Sequence, residues 1–284
     1  DLIHVHFAVP AGAAAFVLKL LTGVPYVLTA HLGDIPGGNP EKTSGWFKWV
    51  KPFTPMIWKR AAAVTTVSSF TKMLAEQTYD VPIQVVPNCV EDDALNAGEI
   101  RSQDPVRLVF AGRFVPQKNL KFLVEVLNKI KEENWECVLI GEGADKPELV
   151  AKIEAYELSS KFKFPGWVTP DEVIEIFRMS DIFVLPSIWE GMPVAGLQAL
   201  ASGLAILSAE VGGMDDMVIQ GENGFILPYE VTAWSEAMKG LIDEPERLLQ
   251  FKNKSLNHAR NFTVDKVGRQ YGEIFERVVA KRKK

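Results

Sequence analysis

The chain has 284 residues, of which 47% are hydrophobic and 24% are charged, and it carries a net charge of -5. A chain of this length can form two domains with large cores, and its hydrophobic content excludes a disordered tail. The acidic balance argues against nucleic acid as a partner, so a phosphate site would have to be formed locally by a few cations and backbone amides.

The two cysteines, Cys89 and Cys137, are far apart and lack the spacing of a zinc site or a disulfide framework. This usage favours a reducing compartment, and no stretch of sequence has the apolar length of a membrane span. We therefore expect a soluble, cytoplasmic protein. The first residue is Asp1, directly before a strand-like run, which we interpret as a sign that the true N-terminus is missing.

Short β-branched runs alternate with amphipathic stretches along the chain, which is typical of βαβ units around parallel sheets. The predicted strands span residues 2–7, 25–30, 62–67, 83–86, 106–111, 136–140, 161–164, 181–185, 204–208 and 225–227. The predicted helices span residues 12–21, 69–77, 119–132, 145–157, 170–179, 192–201, 232–242, 246–260 and 265–281.

A polar, turn-rich stretch over residues 88–105 divides this pattern and indicates a linker. We predict an α/β protein with a Rossmann-like N-terminal domain over 1–98, a linker over 99–105 and a second Rossmann-like domain over 106–264. The second domain has the elements of a complete doubly wound unit, whereas the first has four strands before the linker. A C-terminal helix is predicted within residues 265–284.

The first of three notable loops follows the strand at 106–111 and contains Gly112, Arg113 and Lys118. Phosphates bind doubly wound folds at the C-terminal ends of strands, where helix amides favour negative charge. Arg113 could grip phosphate oxygens with its planar guanidinium and Lys118 could add a point charge. The alternative is a solvated loop with two surface cations.

The second loop contains Glu190, Gly191 and Pro193 and enters a helix that carries Gln198. Gly191 would allow the backbone to approach a ligand closely, and Pro193 suits the first helical turn. Glu190 would face sugar hydroxyls. The alternatives are a helix cap for Glu190 and ordinary helix surface for Gln198.

The third loop contains Gly166, Trp167 and Val168 at a strand end. A nucleotide base could stack or form backbone hydrogen bonds here. The alternative is that Trp167 is a hydrophobic plug between helices.

The order of these motifs is specific because several separated segments occur in one sequence. The motifs are Ala111-Gly112-Arg113 with Lys118, Pro186-Ser187, Glu190-Gly191-Met192-Pro193, Gln198-Ala199-Leu200-Ala201-Ser202-Gly203, Gly212-Gly213 and Gly224. Together they resemble glycosyltransferase family 4, the retaining enzymes of the GT-B fold. The resemblance covers essentially the whole chain, and residues 106–228 are its most specific part.

The resemblance implies two Rossmann-like domains that face a cleft, with the helix in 265–284 crossing back to the first domain. It implies transfer of a sugar from a nucleotide diphosphate sugar, used as a co-substrate without metal or other cofactor, to a glycan or lipid-linked acceptor. Arg113 and Lys118 would hold the diphosphate, and Glu190 would contact the sugar hydroxyls.

The remaining roles implied by the resemblance concern the rest of the donor. The backbone of Gly191, Met192, Pro193 and Val194 would line the sugar and phosphate, and Gln198 would meet the ribose. Three further residues, Gly166, Trp167 and Val168, would lie along the base, with Gly112 at the diphosphate loop. His31, at the end of the strand over 25–30, matches the histidine that leans towards the donor sugar.

Three features depart from the family pattern. Cys89 stands where a Gly is usual at a turn. Gln198 stands where the family usually has Glu, which removes a charge from the expected ribose contact. The Gly-rich loop that the family places after its first strand is not present, so we expect the first domain to be incomplete and the fragment alone to be inactive.

The segment 43–60 mixes aromatic residues with cations and suits peripheral contact with the inner face of a membrane. Packing within the acceptor-side domain is the alternative, since Pro52 and Pro55 interrupt any long helix. Two alternative functions also stay open: a non-catalytic nucleotide-sugar-binding module, or another GT-B enzyme such as an epimerase or a phosphorylase. A nicotinamide dehydrogenase is disfavoured because no Gly-x-Gly-x-x-Gly follows a strand.

Overall fold

A computed structural model describes residues 1–39, 47–91, 95, 100 and 102–282 of the protein. The chain forms two compact units. The first comprises Asp1–Cys89, Trp189–Met192 and Val264–Lys284, and the second comprises Val90–Ile188 and Pro193–Thr263. The predicted domain limit between 98 and 99 lies outside the described residues, as do residues 43–46 of the aromatic segment.

The elements are numbered in chain order. The strands are β1 (Ile3–His6), β2 (Tyr26–Ala30), β3 (Ala63–Thr66), β4 (Ile83–Val85), β5 (Val106–Ala111), β6 (Trp135–Ile140), β7 (Phe162–Gly166), β8 (Ile182–Leu185), β9 (Ala205–Ala209) and β10 (Gly224–Leu227). The helices are α1 (Ala13–Thr22), α2 (Phe47–Val50), α3 (Thr54–Arg60), α4 (Ser69–Glu76), α5 (Leu120–Lys129), α6 (Lys146–Ala155), α7 (Pro170–Arg178), α8 (Val194–Ala201), α9 (Val231–Asp243), α10 (Pro245–Ala259) and α11 (Val264–Arg282).

The first unit contains a parallel sheet in the order β1-β2-β3-β4. Strand β2 is buried along its whole length, as expected for a parallel strand that is covered on both faces. Its side chains alternate between two cores, because Tyr26 and Leu28 join one hydrophobic cluster and Val27 joins the other. In the second cluster Val27 packs with Val267 and Ile274 of α11.

Local sequence signals explain where several helices begin and end. Gly23 follows α1 with φ of 71°, a left-handed conformation that ends a helix at little steric cost. Ser68 caps α4, since its Oγ accepts the N–H of Thr71 at 3.1 Å. Pro55 lies in the first turn of α3, where a proline is tolerated because its missing N–H has no partner within the helix. The same proline prevents the helix from extending further towards the N-terminus.

The second unit contains a parallel sheet in the order β10-β9-β8-β5-β6-β7. Strand β5 lies between β6 and β8, so the direction in which successive strands are added reverses at this position. This is the doubly wound topology that the sequence predicts, and ligands of such sheets bind at the reversal. The core side chains Leu108, Val109 and Phe110 of β5 are completely buried.

The structure confirms every predicted strand and helix, with ends that differ by at most about three residues. One detail of the prediction is wrong. Pro193 does not occupy the first turn of α8, because its extended conformation, with ψ of 126°, makes it the N-cap and the helix begins at Val194. None of the helices in the described ranges is long and apolar enough to cross a bilayer.

Candidate active site

The loops after β5 and β8 lie on either side of the strand-order reversal in the second unit. The backbone N–H of Ile188, after β8, donates to the carbonyl oxygen of Gln117, after β5, at 2.8 Å. The carboxyl ends of both strands therefore share one edge of the sheet, with their loops directly bonded. This edge is where a doubly wound sheet offers a crevice for a ligand.

The loop after β6 packs against the β5 loop through backbone hydrogen bonds. Gly112 donates its N–H to Ile140 at 3.0 Å, and Phe114 donates its N–H to Glu142 at 2.8 Å. A Cβ added at Gly141 would overlap the carbonyl oxygen of Gly112, and one at Gly143 would overlap that of Phe114. Both glycines are thus required for the close approach of the loops.

The predicted phosphate ligands Arg113 and Lys118 both lie in the β5 loop. Arg113 is exposed, whereas Lys118 is half-buried in a short 3-10 turn, Pro116–Lys118. The Lys118 side chain folds back towards the start of the loop, since a Cβ at Gly112 would lie 3.7 Å from its Cε. Asn119, with φ of 49°, then turns the chain into α5. The loop therefore brings Gly112 and Lys118 together beside Arg113.

The loop after β7 presents a large aromatic ring to solvent. Trp167 is 71% exposed, so the alternative that it plugs a gap between helices is wrong. Gly166 has φ of 77° and accepts the N–H of Gly141 at 3.0 Å, which attaches this loop to the β6 loop. Val168 is half-buried. The exposed indole has the flat apolar face that stacking on a base requires.

Helix α8 contributes its N-terminal end and Gln198 to the second unit. The first N–H groups of a helix have no partner within the helix, and Pro193 has no N–H, so the amides from Val194 onwards form the amino end. Gln198 is half-buried in the second turn. Its amide side chain is neutral, whereas the glutamate of the family pattern would carry a negative charge at this position.

The segment Trp189–Met192 belongs to the first unit, although it follows β8 in sequence. Met192 accepts a hydrogen bond from Asn88 Nδ2 at 2.8 Å, and a Cβ added at Gly191 would lie 3.1 Å from Leu32 Cβ. Glu190 is 8% exposed. Pro193, and not Glu190, is the N-cap residue of α8.

The loop after β2 carries the predicted histidine, which the structure places against β1. His31 Nε2 lies 3.0 Å from His6 Nδ1, and the ring of Phe7 stacks on His31 at 4.5 Å. Asp34 is buried and accepts the N–H of His31 at 3.0 Å and that of Ala8 at 2.9 Å. One carboxylate thus holds the backbone that follows two adjacent strands, and Leu32 of the same loop lies beside Gly191.

His4 and His6 lie on β1, where burial disfavours their charged forms. Burial, assisted by the neighbouring His6, lowers the pKa of His4 to about 4, and burial also lowers the pKa of His6. His4 Nε2 lies 2.8 Å from Thr29 Oγ1. The sequence gives no local signal for the His6 contact with His31, which depends on the pairing of β1 with β2.

Among the described residues, no group of three or more His, Cys, Asp or Glu side chains is arranged to hold a metal ion. The cationic and amide groups of the β5 and α8 loops are instead suited to an anion. Arg113, Lys118 and Gln198 belong to the second unit and His31 and Glu190 to the first.

Known families match both parts of the chain. The family described as "Glycosyl transferases group 1" matches residues 92–258, and "Glycosyltransferase Family 4" matches residues 1–94. The chain is 29% identical over 252 residues to the putative teichuronic acid biosynthesis glycosyltransferase TuaC of Bacillus subtilis (strain 168). That alignment covers 84% of this chain but 60% of TuaC, so the chain spans about 60% of the length of this relative.

Solved structures share the fold. Sucrose-phosphate synthase from Thermosynechococcus elongatus aligns with a TM-score of 0.85 and 18% identity over 99% of this chain and 74% of that chain. Anabaena Alr3699/HepE in complex with UDP aligns with a TM-score of 0.82 and 16% identity over 96% and 78%. The chain therefore belongs to the group 1 glycosyl transferases, with a family 4 N-terminal part, and it has the α/β GT-B fold.

Proposed function

We propose that the chain is part of a retaining glycosyltransferase that moves a sugar from a nucleoside diphosphate sugar to a hydroxyl group of a glycan or lipid-linked acceptor. Its family supports glycosyl transfer, and the name of TuaC supports a role in the synthesis of a cell-surface polymer. The UDP bound by Anabaena HepE supports a nucleotide donor. The proposal depends on one observation. The backbone hydrogen bond from Ile188 to Gln117 brings the loops after β5 and β8 together at the strand-order reversal, where such sheets bind ligands.

The second unit supplies the groups for the leaving diphosphate. Arg113 and Lys118 lie on the loop after β5, and the amino end of α8 follows the loop after β8. Negative charge develops on the diphosphate as the bond to the anomeric carbon breaks, and fixed cations and amides stabilise that charge. Trp167 would stack on the base, and Gln198 would bond the ribose.

The transferred sugar needs contacts of its own. Glu190 and His31 would contact its hydroxyl groups, with the Gly191 backbone close to the ring. The acceptor hydroxyl would attack the anomeric carbon on the face from which the diphosphate leaves, and its proton would pass to the departing phosphate oxygen. Retention therefore needs no covalent bond to a side chain.

Peripheral contact of the first unit with the inner face of a membrane fits a lipid-linked acceptor. Trp49 and Phe53 are exposed beside Lys51, and such a mixture of aromatic and cationic side chains suits a lipid interface. The acceptor hydroxyl would then react at the membrane surface.

A donor screen tests the proposal. Uridine, guanosine and adenosine diphosphate sugars are titrated into the chain by calorimetry, and transfer is assayed in the full-length protein with product anomers assigned by NMR. Arg113→Ala and Glu190→Ala should each lower the transfer rate by roughly 10²–10³-fold while the fold is kept. Arg260→Ala, which removes an exposed cation after α10, is the matched control.

Each other outcome has a distinct meaning. Donor binding without transfer or hydrolysis would replace the proposal with a non-catalytic binding module. Conversion of one sugar nucleotide into its epimer would replace it with an epimerase. Near-normal transfer by Arg113→Ala would contradict the role of that residue.

A further inference from the structure

A cavity of about 510 Å³ lies in the first unit at the N-terminal ends of β3 and β4. Its apolar wall includes Val64, Val81 and Ile274, which come from the two strand regions and from α11. His31 follows the C-terminal end of β2, the opposite edge of the same sheet. A four-residue strand such as β3 spans about 13 Å, so the cavity is separate from the His31 loop.

The cavity is strongly cationic in a protein whose net charge is -5. Lys59 at the end of α3 and Arg277 and Lys281 of α11 all line it. No acidic side chain is found among the described residues of its lining. Arg277 donates to Gln84 Oε1 at 3.1 Å, which uses one of the five N–H donors of its guanidinium. Three cations in one lining, without a carboxylate among its described residues, favour an anionic ligand.

A buried indole adds a second observation at the same cavity. Trp58 lines the cavity and is 1% exposed, and its Nε1 has no hydrogen-bond partner among the described residues. Its ring is held by stacking on Tyr79, with ring centres 4.0 Å apart and planes within 9°. Buried donors are almost always bonded, so this unpartnered indole N–H is unusual in a residue of the cavity wall.

We propose that this cavity binds an anionic amphiphile, whose phosphate group lies between Lys59, Arg277 and Lys281 and whose apolar part lies on Val64, Val81 and Ile274. The cations supply charge-assisted hydrogen bonds to phosphate oxygens, and Arg277 suits them with its planar fork. The apolar wall adds a favourable free energy from burial of apolar surface, which inorganic phosphate lacks. The site is independent of the sugar-transfer site, so a failure of either proposal leaves the other to be judged by its own measurement.

Calorimetry with the 284-residue chain tests the site with three soluble probes: dihexanoyl phosphatidic acid below its micelle concentration, dihexanoyl phosphatidylcholine and inorganic phosphate. Phosphatidic acid should bind at least tenfold more tightly than either of the others. Equal affinity for phosphatidylcholine would overturn the anionic requirement, and equal affinity for inorganic phosphate would overturn the apolar one.

A pair of double variants tests the location. Lys59→Gln with Arg277→Gln should weaken binding of phosphatidic acid at least tenfold. Lys72→Gln with Arg269→Gln removes the same charge from α4 and α11 away from the cavity and should change binding less than twofold. Circular dichroism and thermal melting confirm that both variants are folded, and equal losses in the two would overturn the proposal.

Sedimentation with vesicles then identifies the source of the amphiphile. Phosphatidylcholine vesicles that contain phosphatidylglycerol are compared with pure phosphatidylcholine vesicles. Retention of the wild type by the anionic vesicles, and its loss in Lys59→Gln with Arg277→Gln, would assign the site to a membrane lipid. Retention by neither kind of vesicle, together with binding of the soluble lipid, would assign it to a free amphiphile.

Discussion

Lys252 donates from Nζ to Asp181 Oδ1 at 2.7 Å in the interior of the second unit. The two side chains are 3% and 0% exposed. Lys252 also donates to the carbonyl oxygen of Ser180 at 2.9 Å, and Asp181 accepts the N–H groups of Arg107 at 2.9 Å and Gln103 at 3.1 Å. One ion pair therefore connects α10 with the start of β5 and with the turn before β8.

Removal of one partner should be strongly destabilising. Lys252→Met leaves the Asp181 carboxylate buried without its counter-ion and should lower the free energy of unfolding by about 3–5 kcal/mol. Lys252→Met combined with Asp181→Asn should recover much of this loss, because no charge then stays buried. Urea denaturation measures both. The control is Lys254→Met, which breaks an exposed pair with Glu222 and should cost less than about 1 kcal/mol.

A methyl group at Gly143 should disturb the candidate donor site. Gly143→Ala places a Cβ against the Phe114 carbonyl oxygen, so the β5 and β6 loops must separate, at a cost of about 1–3 kcal/mol or more. Donor binding measured by calorimetry should weaken as the β5 loop shifts. In contrast, Gly240→Ala in α9 meets nothing within 4 Å and should stabilise the chain by about 0.5–1 kcal/mol. Similar behaviour of the two variants would contradict the packing argument.

Acid should destabilise the first unit through His4. Burial lowers the pKa of His4 from its ordinary 6.5 to about 4. Between these pH values the unfolded chain binds a proton at His4 and the folded chain does not, so acid favours unfolding. The stability contribution is complete above pH 6.5 and is lost as the pH falls towards 4. His4→Gln should flatten the dependence of the urea midpoint on pH across this range. His258→Gln, in α10 of the second unit, is the control and should retain it.

A charge restored at position 198 should strengthen donor binding if this residue meets the ribose. A hydrogen bond to a charged group contributes about 1 kcal/mol more than a neutral one, so Gln198→Glu should tighten nucleotide-sugar binding roughly fivefold. Gln250→Glu on the exposed side of α10 adds the same charge elsewhere and should leave the affinity unchanged. Weaker or unaltered donor binding by Gln198→Glu would contradict the proposed contact between residue 198 and the ribose.

The strands could be predicted because both sheets are parallel and buried. Parallel strands covered on both faces read as short runs of β-branched residues between turn residues, and β5 and β8 are such runs. The position of the Arg113 loop follows from this pattern, since ligands bind at the carboxyl ends of such strands. The roles of Arg113, Lys118, Glu190 and His31 stay predictions that the experiments above address.

Contacts that depend on strand register could not be predicted. His6 pairs with Thr29 across β1 and β2, so its side chain comes within reach of His31, two residues further on. No local pattern in the sequence encodes this register. Gly141 and Gly143 flank one residue directly after a buried strand, a pattern that could have indicated a close backbone approach. Only the structure shows that the β5 loop is what approaches them. The exposure of Trp167 is likewise a result of tertiary packing.

The completion of the first unit by α11 has a consequence for its synthesis. Val267, Ile274 and Val278 of α11 form a core with Val27 and Val86. A ribosome adds roughly 5–20 residues per second, so on the order of 10 s or more separates the emergence of β4 from that of α11. During that interval the sheet face that α11 covers is available to chaperones, so the first unit gains this core only after the second unit has emerged.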